Sequence, residues 1–264
     1  MQTNHHEIFE TKNMYTISII IPTYNEAENI ISLLDKIKEN LTHNVFTEII
    51  IVDDNSPDGT SNIVQNYIDY DVESKRGNVN FKEKLYSLKI INRKIKNGLI
   101  PAILDGVKSS QGDYVLVMDA DFSHPPEMIP KIIEKSLGNS NSIVIASRYT
   151  KNGSIVGWPF KRRLISKAAA VIAKFGLNVN NVTDPMSGFF AVPRHIIENL
   201  KIDTKGYKIL LEILVKSKDI PIFEIPYTFM DRKSGKSKMG FSVIIDYLGS
   251  VWQLYRYGRH QQKK

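Results

Sequence analysis

Two aspartates, Asp119 and Asp121, stand two positions apart directly after the apolar run 114–118 (YVLVM). Side chains at i and i+2 of an extended segment share a face, so this pair can offer hard oxygens to one ion. Such oxygens suit Mg²⁺ or Mn²⁺, which leave positions open for a diphosphate and offset the charge on a departing nucleotide. Alone, an Asp-x-Asp reads equally as a solvated turn or a helix cap. Here Ser123-His124-Pro125-Pro126-Glu127 follow it and weigh toward a site. Asp53-Asp54 close a second apolar run, 48–52, and two readings stand level. One is a turn that caps the next helix, aided by Pro57, Asp58 and Gly59; the other is recognition of a base or ribose. Pro22-Thr23-Tyr24-Asn25-Glu26 follows a third run, 16–21. Asn25 can cap a helix there, or the segment can frame a nucleotide.

Positions 22, 53 and 119 meet only if the chain brings three strand ends together. The runs 16–21, 48–52, 85–91, 114–118 and 143–146 are short, apolar and β-branched, as strands buried on both faces are. Between them, 27–39, 61–70, 101–110 and 126–137 show helical spacing or helix-start signals. This βαβα order predicts an α/β fold: an open, mostly parallel sheet flanked by helices, whose ligands sit beyond the carboxyl ends of the strands. Further on, 161–174 reads as a basic amphipathic helix, 189–192 and 222–229 as strands, and 209–216 as a helix. Residues 241–257 carry Phe241, Ile244, Ile245, Leu248, Val251, Trp252 and Tyr255 at helical spacing. The expected organisation is a leader over 1–15, one domain over 16–240, and an amphipathic helix with a basic tail over 241–264.

Composition narrows the chemistry. The 264 residues include no cysteine, which excludes disulfides, thiolate catalysis and Cys-ligated zinc. No apolar run reaches the ~18 residues of a membrane span. Of the net charge of +7, six units fall in residues 231–264, which hold eight basic and two acidic side chains. A local anionic partner is expected there: phosphate, anionic lipid or nucleic acid. No RNP-like or zinc motif accompanies that charge, so a nucleic-acid partner is not expected. His5, His6 and His124 have no accompanying ligand set and read as surface histidines.

IIPTYNEAENI, VDDNSPDGT, MDADFSHPPE, ASRY, GWPFKRRLISKAA, DPMSGFFAV and GYKILLEIL occur in this order. Over residues 17 to about 240 the chain thereby resembles the dolichyl-phosphate mannose synthases, inverting family-two glycosyltransferases with the GT-A fold. The first three motifs are shared widely among family-two enzymes; the later ones are narrower to the polyprenyl-phosphate glycosyltransferases. The resemblance implies GDP-mannose as donor, dolichyl or another polyprenyl phosphate as acceptor, and a β-mannosyl phosphate lipid as product. It implies that Pro22, Tyr24, Glu26, Asp53, Asp119 and Lys208 serve the donor, with Asp119, Asp121 and Ser123 at Mg²⁺ or Mn²⁺. It further implies that Arg148, Arg162, Ser166 and Arg232 bind and aim the acceptor phosphate, and that Asp184-Pro185-Met186-Ser187-Gly188 lies by the donor sugar. The family's Gly-Leu-Gly after its third strand is Gly98-Leu99-Ile100 in this chain. Resemblance to the short form without membrane spans implies peripheral attachment at the cytoplasmic face of a membrane.

The implied chemistry is coherent. A phosphate monoester has a second pKa of ~6 and is already largely dianionic near neutrality, so attack needs no strong general base. The difficulty is to bring one anion against another, which a metal on the leaving group and arginines on the acceptor ease. For membrane contact, the helix over 241–257 with Arg256, Arg259, Lys263 and Lys264 can lie in the interface, pack on the core, or dock a small membrane-spanning partner. Two other functions remain open: transfer from UDP-glucose to the same lipid, and a non-catalytic sugar-nucleotide-binding module.

Overall fold

The structure, a computed structural model, describes residues 15–42, 44–76, 86–203, 208–231 and 241–261. Residues 1–14 of the expected leader lie outside the described residues, as do Lys263 and Lys264 of the expected basic tail. Four parallel strands form one half of the main sheet: β1 (Thr16–Thr23), β2 (Phe46–Asp53), β3 (Tyr86–Asn92) and β4 (Tyr114–Val117). The other half contains β5 (Ile143–Ser147), β7 (Phe190–Pro193) and β8 (Ile222–Pro226). The spatial order is β3-β2-β1-β4-β7-β5-β8, and β7 alone runs antiparallel, against both β4 and β5. A second, two-stranded sheet pairs β6 (Ser154–Val156) with β9 (Thr228–Met230).

Helices cover both faces: α1 (Ile30–Glu39), α2 (Thr60–Arg76), α3 (Leu99–Ser109), α4 (Ile129–Leu137), α5 (Phe160–Gly176), α6 (Arg194–Asn199), α7 (Ile209–Lys216) and α8 (Phe241–Gln261). Alternation along the strands splits the core into two layers. Ile17, Ile19, Ile21, Ile49, Ile51 and Leu116 pack with Leu33 and Leu34 of α1 and Ile132 of α4. Ile20, Ile50, Val52, Val115 and Val117 pack with Ile103 of α3 and Leu211 of α7. The mostly parallel α/β sheet foreseen from sequence is thus present, and its register aligns Thr23 with Asp53 and Asp53 with Asn92 at the carboxyl edge.

Three local departures have physical causes. The run 222–229 is two strands rather than one. Tyr227 interrupts it, buried, with its N–H donating to the Ser147 carbonyl (3.2 Å), and β9 turns away to pair with β6. Helix α2 outlasts its apolar period because the buried Asp71 accepts a hydrogen bond from the Tyr86 hydroxyl (2.9 Å), tying the helix to β3. Elements β6 and α6 are too short to show a period.

At the opposite, amino-terminal edge a different acid does structural work. Glu48 of β2 accepts hydrogen bonds from Ser18 Oγ (2.6 Å), Lys89 Nζ (2.6 Å) and the Gln111 N–H (2.9 Å). Burial opposes its ionisation, yet Lys89, Ser18 and Gln111 together hold its carboxyl below the usual range. A depressed carboxyl contributes stability above its unfolded pKa and loses it as pH falls through the folded value. Glu48→Gln should therefore cost about 2 kcal/mol at pH 7, a difference that fades below pH ~4; denaturant unfolding at the two pH values checks this.

Candidate active site

Three acidic side chains at the end of β2 hold the neighbouring loops. Asp53, almost fully buried, accepts from Thr23 Oγ1 (3.1 Å), Ser56 Oγ (2.6 Å) and the Ser56 N–H (2.9 Å). Asp54 accepts from Arg93 Nη1 and from the N–H groups of Asn97 (2.9 Å) and Gly98 (2.8 Å). Asp58 caps α2 at the Thr60 N–H (3.0 Å) and reaches back to the Ala27 N–H (3.0 Å). Together with Ser56 on the Asn25 N–H (2.9 Å) and Thr60 on the Glu26 N–H (3.0 Å), these residues clasp three successive amides of the β1 loop. VDDNSPDGT is therefore in large part a brace for PTYNEA.

Pro22 lies one residue before the end of β1 among buried neighbours, and Glu26 accepts from Asn29 Nδ2 (2.9 Å) as α1 begins. The ring of Tyr24 carries the ammonium of Lys96, 3.4 Å from its centroid, which joins the β1 and β3 loops by a cation–π contact. Gly98 adopts φ +93°, a conformation that suits glycine. Ile100, where the family pattern has its second glycine, is a buried core residue of α3.

After β4 the chain makes a tight turn with Phe122 at φ +60°. The Asp119 N–H donates to Nδ1 of His124 (2.8 Å), and the Ser123 N–H donates to Oδ1 of Asp121 (3.1 Å). His124 is not a surface residue, contrary to the sequence reading. It is buried and stacks on Phe189 with ring centroids 5.0 Å apart, since the turn folds it under the sheet edge. Burial pushes its pKa down, against the pull of Asp119. Gly188 passes so close that an added Cβ would lie 3.0 Å from His124 Cε1 and 3.6 Å from Asp119 Oδ2. The DPMSG loop is thereby set directly against the Asp119 turn.

That loop is anchored by a buried ion pair. Arg148, at the end of β5, donates from Nε to Asp184 Oδ2 and from Nη2 to Oδ1, both at 2.8 Å, and its own N–H donates to Oδ2 (3.0 Å). Asp184 is completely buried and Arg148 is 8% exposed. Burial opposes the guanidinium charge, but Asp184 more than offsets it and raises the Arg148 pKa above its usual range. Glu224 of β8 completes the anchor by accepting from the N–H groups of Thr183 (2.8 Å) and Asp184 (2.9 Å). Around the guanidinium stand Tyr149, Trp158 and Phe229, with centroids 5.4, 5.7 and 5.6 Å from Cζ.

Ser166 of α5 joins this group by accepting from the Tyr149 hydroxyl (2.7 Å). Arg162, one turn earlier on α5, stacks on Trp158 (4.0 Å) and donates from Nη1 to both oxygens of Asp231 (3.1 Å). Burial, and after it the charge of Arg148, lower the pKa of Lys208 to about 8, against the opposing charges of Asp184 and Asp119. Arg232 lies outside the described residues. The fold thus gathers Asp119, Arg148, Arg162, Ser166 and Lys208 around one cluster, while Tyr24, Glu26 and Asp53 lie along the β1–β2 edge. Sequence reading missed Asp184 as a partner of Arg148, and it missed Glu224, Asp231, Trp158 and Tyr227. The GWPF motif held Trp158 and DPMSG held Asp184, whereas no motif marked Glu224, Tyr227 or Asp231.

Among the described residues no three acidic or histidine side chains gather as a closed metal site. The available set is two carboxylates, with the Asp119 side chain 42% exposed. A pair of carboxylates in such a turn fits Mg²⁺ or Mn²⁺, which take few protein carboxylates and complete their shell with water and phosphate oxygens.

Comparison with known proteins points the same way. The sequence model described as "Glycosyl transferase family 2" matches residues 18–201. A dolichol-phosphate mannosyltransferase of Pyrococcus furiosus is 40% identical over 91% of this chain, and the match spans 64% of that relative's length. The Saccharomyces cerevisiae protein of the same name is 35% identical over 90% of this chain and 86% of its own length. That of Mycosarcoma maydis is 32% identical over 94% and 82%. Among solved structures, Mycobacterium tuberculosis glucosyl-3-phosphoglycerate synthase in complex with Mn²⁺, UDP-glucose and phosphoglyceric acid superposes with a TM-score of 0.65. It is 20% identical over 90% of this chain and 80% of its own, a likeness of fold.

Removing one member of a buried pair strands the other. Asp184→Ala should lower stability by about 3–5 kcal/mol, whereas an Asp184→Ala/Arg148→Met double variant should recover much of that loss; a double-mutant cycle of denaturant unfolding measures the coupling.

Proposed function

The chain belongs to glycosyl transferase family 2, and from that premise we propose that it transfers mannose from GDP-mannose to the phosphate of dolichol or another polyprenol, with inversion. The observation that carries this reading is the agreement of three relatives named dolichol-phosphate mannosyltransferase, each aligned over nine-tenths or more of the chain. The cluster of Arg148, Arg162 and Ser166 beside the Asp119 turn supports it, because a phosphate acceptor calls for such donors and a hydroxyl acceptor does not.

In this reading Pro22, Tyr24, Glu26, Asp53 and Lys208 form the donor pocket. Asp119 and Asp121, with Ser123, would hold Mg²⁺ or Mn²⁺, and a bound cation would offset the charge that builds on the departing diphosphate. Arg148, Arg162, Ser166 and Arg232 receive the acceptor phosphate. Its oxygen attacks the anomeric carbon in line as the bond to the diphosphate breaks, and the sugar inverts. No side chain has to remove a proton, since the acceptor is already ionised. The acids paired with Arg148 and Arg162 fix the planes of both guanidiniums, so their remaining N–H groups are aimed before the acceptor arrives.

The acceptor's hydrocarbon chain resides in a bilayer, so the same reading calls for a membrane-facing surface. Among the described residues no helix is long and apolar enough to cross a membrane. Helix α5 nevertheless turns its apolar side outward. Phe160 and Phe175 are 79% and 72% exposed, and Leu164, Ile165, Val171 and Ile172 are exposed beside them, whereas only Ala170 and Ala173 are buried. Helix α8 packs on the core with one side only. Leu254 enters the core and the Tyr247 hydroxyl donates to the Ala169 carbonyl (2.6 Å), while Leu248 and Trp252 face solvent. Flanked by Lys161, Arg163 and Lys167, the outer face of α5 suits an anionic interface.

Incubation with labelled GDP-mannose, dolichyl phosphate and Mg²⁺ or Mn²⁺ should yield labelled lipid. Asp121→Ala should lower the rate on the order of 100-fold, and undiminished product in excess chelator would overturn the reading. Replacing Leu164 and Phe175 together by Ser should weaken sedimentation with anionic vesicles about tenfold or more; unchanged sedimentation would remove the membrane role of α5.

A further inference from the structure

Three buried donors near the Arg148–Asp184 pair have no hydrogen-bond partner among the described residues: Nε1 of Trp158, Nε of Arg162 and the Tyr227 hydroxyl. The first two belong to stacked side chains, with Arg162 Cζ 4.0 Å from the Trp158 ring centroid and Arg148 Cζ 5.7 Å from the same ring. The indole, 9% exposed, therefore lies close to two guanidiniums. Each of those is already matched with an acid, Arg148 with Asp184 and Arg162 with Asp231. These acids hold the guanidiniums in place, and the unpaired N–H groups beside them are directed donors.

A buried N–H without an acceptor destabilises a protein relative to an apolar group of the same shape, and few such groups persist. Phenylalanine at position 158 would keep an aromatic face for both cations without the orphaned donor. The tryptophan makes sense if its acceptor comes with a ligand. Two further features say which ligand. Helix α5 starts at Phe160 with Pro159 as its cap and no side-chain cap on its first amides, an arrangement that favours anions. Immediately outside are the exposed apolar side chains Phe160, Leu164, Val156 and Met230. Unsatisfied donors bordered by outward apolar surface match an amphiphile with an anionic head and a hydrocarbon chain.

We infer that Trp158 is a substrate-binding residue whose indole N–H, together with Nε of Arg162, donates to an oxygen of the acceptor's phosphate monoester while the prenyl chain leaves over Phe160 and Leu164. This deepens the acceptor reading above and rests on it. The indole adds a neutral, rigid donor beside two charged ones, so it orients the phosphate rather than attracting it.

The test uses the full chain and a short-chain prenyl monophosphate, with the matching alcohol and inorganic phosphate as controls. In Trp158→Phe the dissociation constant for the prenyl monophosphate rises about tenfold, as for loss of one hydrogen bond to a charged group. Binding of the alcohol does not change, and the thermal midpoint of the ligand-free protein does not fall. Because the chain has two tryptophans, Trp252→Phe assigns the two indole N–H resonances in an NMR spectrum. The Trp158 signal moves downfield on addition of the prenyl monophosphate and stays in place with the alcohol. Inorganic phosphate moves it only at higher concentration; equal potency would overturn the part assigned to the prenyl chain. Equal affinity in Trp158→Phe, or an unmoved indole signal while the natural chain binds the prenyl monophosphate, overturns the inference and leaves the acceptor reading intact. If the natural chain binds no prenyl monophosphate at all, the acceptor reading fails and takes this inference with it. Should Trp158→Phe not fold, the indole signal of the natural chain decides alone.

Discussion

The bidentate pair between Arg148 and Asp184 is the contact on which the rest of the site depends. Both partners are withdrawn from water, so neither tolerates loss of the other. The pair joins the end of β5 to the DPMSG loop, and that loop in turn passes Gly188 against Asp119 and His124. A single ion pair thus sets the spacing between the carboxylate turn after β4 and the cationic cluster. Trp158, Phe229 and Tyr149 surround the guanidinium and exclude solvent from it, which strengthens the electrostatic attraction within the pair.

Elsewhere the same logic recurs with smaller charges. Asp54 and Asp58 accept from backbone N–H groups of neighbouring loops, and Asp53 from the Thr23 hydroxyl and from Ser56 in its own loop, so three strand ends become one rigid edge. Polar loops that would otherwise compete with one another are held by carboxylates spaced one to four positions apart in a single motif. Such rigidity suits the proposed transfer, because an in-line displacement is sensitive to ångström-scale misplacement of its reacting groups. On the other side of the site, α5 presents Arg162 and Ser166 inward and its larger apolar residues outward. One helix thereby carries the residues proposed to bind phosphate on one side and an exposed apolar face on the other.

Legibility in the sequence differed from element to element. Residues 209–216 are a helix with the foreseen bounds, and β1, β2 and β5 differ from the foreseen runs by two residues or fewer at either end, because an uninterrupted apolar run or a clear period leaves little choice. Tyr227 breaks a run that reads as one strand, since its burial and its bond to Ser147 are decided by β5. His124 looked like a surface residue because nothing local announces that a turn will tuck it onto Phe189.

By itself the sequence determined which residue types carry the chemistry and which segments alternate between strand and helix, for these follow from local spacing. It also determined the motifs by which the chain resembles a glycosyltransferase family. Tertiary structure alone decided which charge meets which. Arg148 and Asp184 are 36 positions apart and Arg162 and Asp231 are 69, distances over which only the strand order brings groups together. It also decided that the apolar side of α5 faces away from the sheet: periodicity gives a helix an apolar stripe but does not say whether protein or its surroundings will cover it.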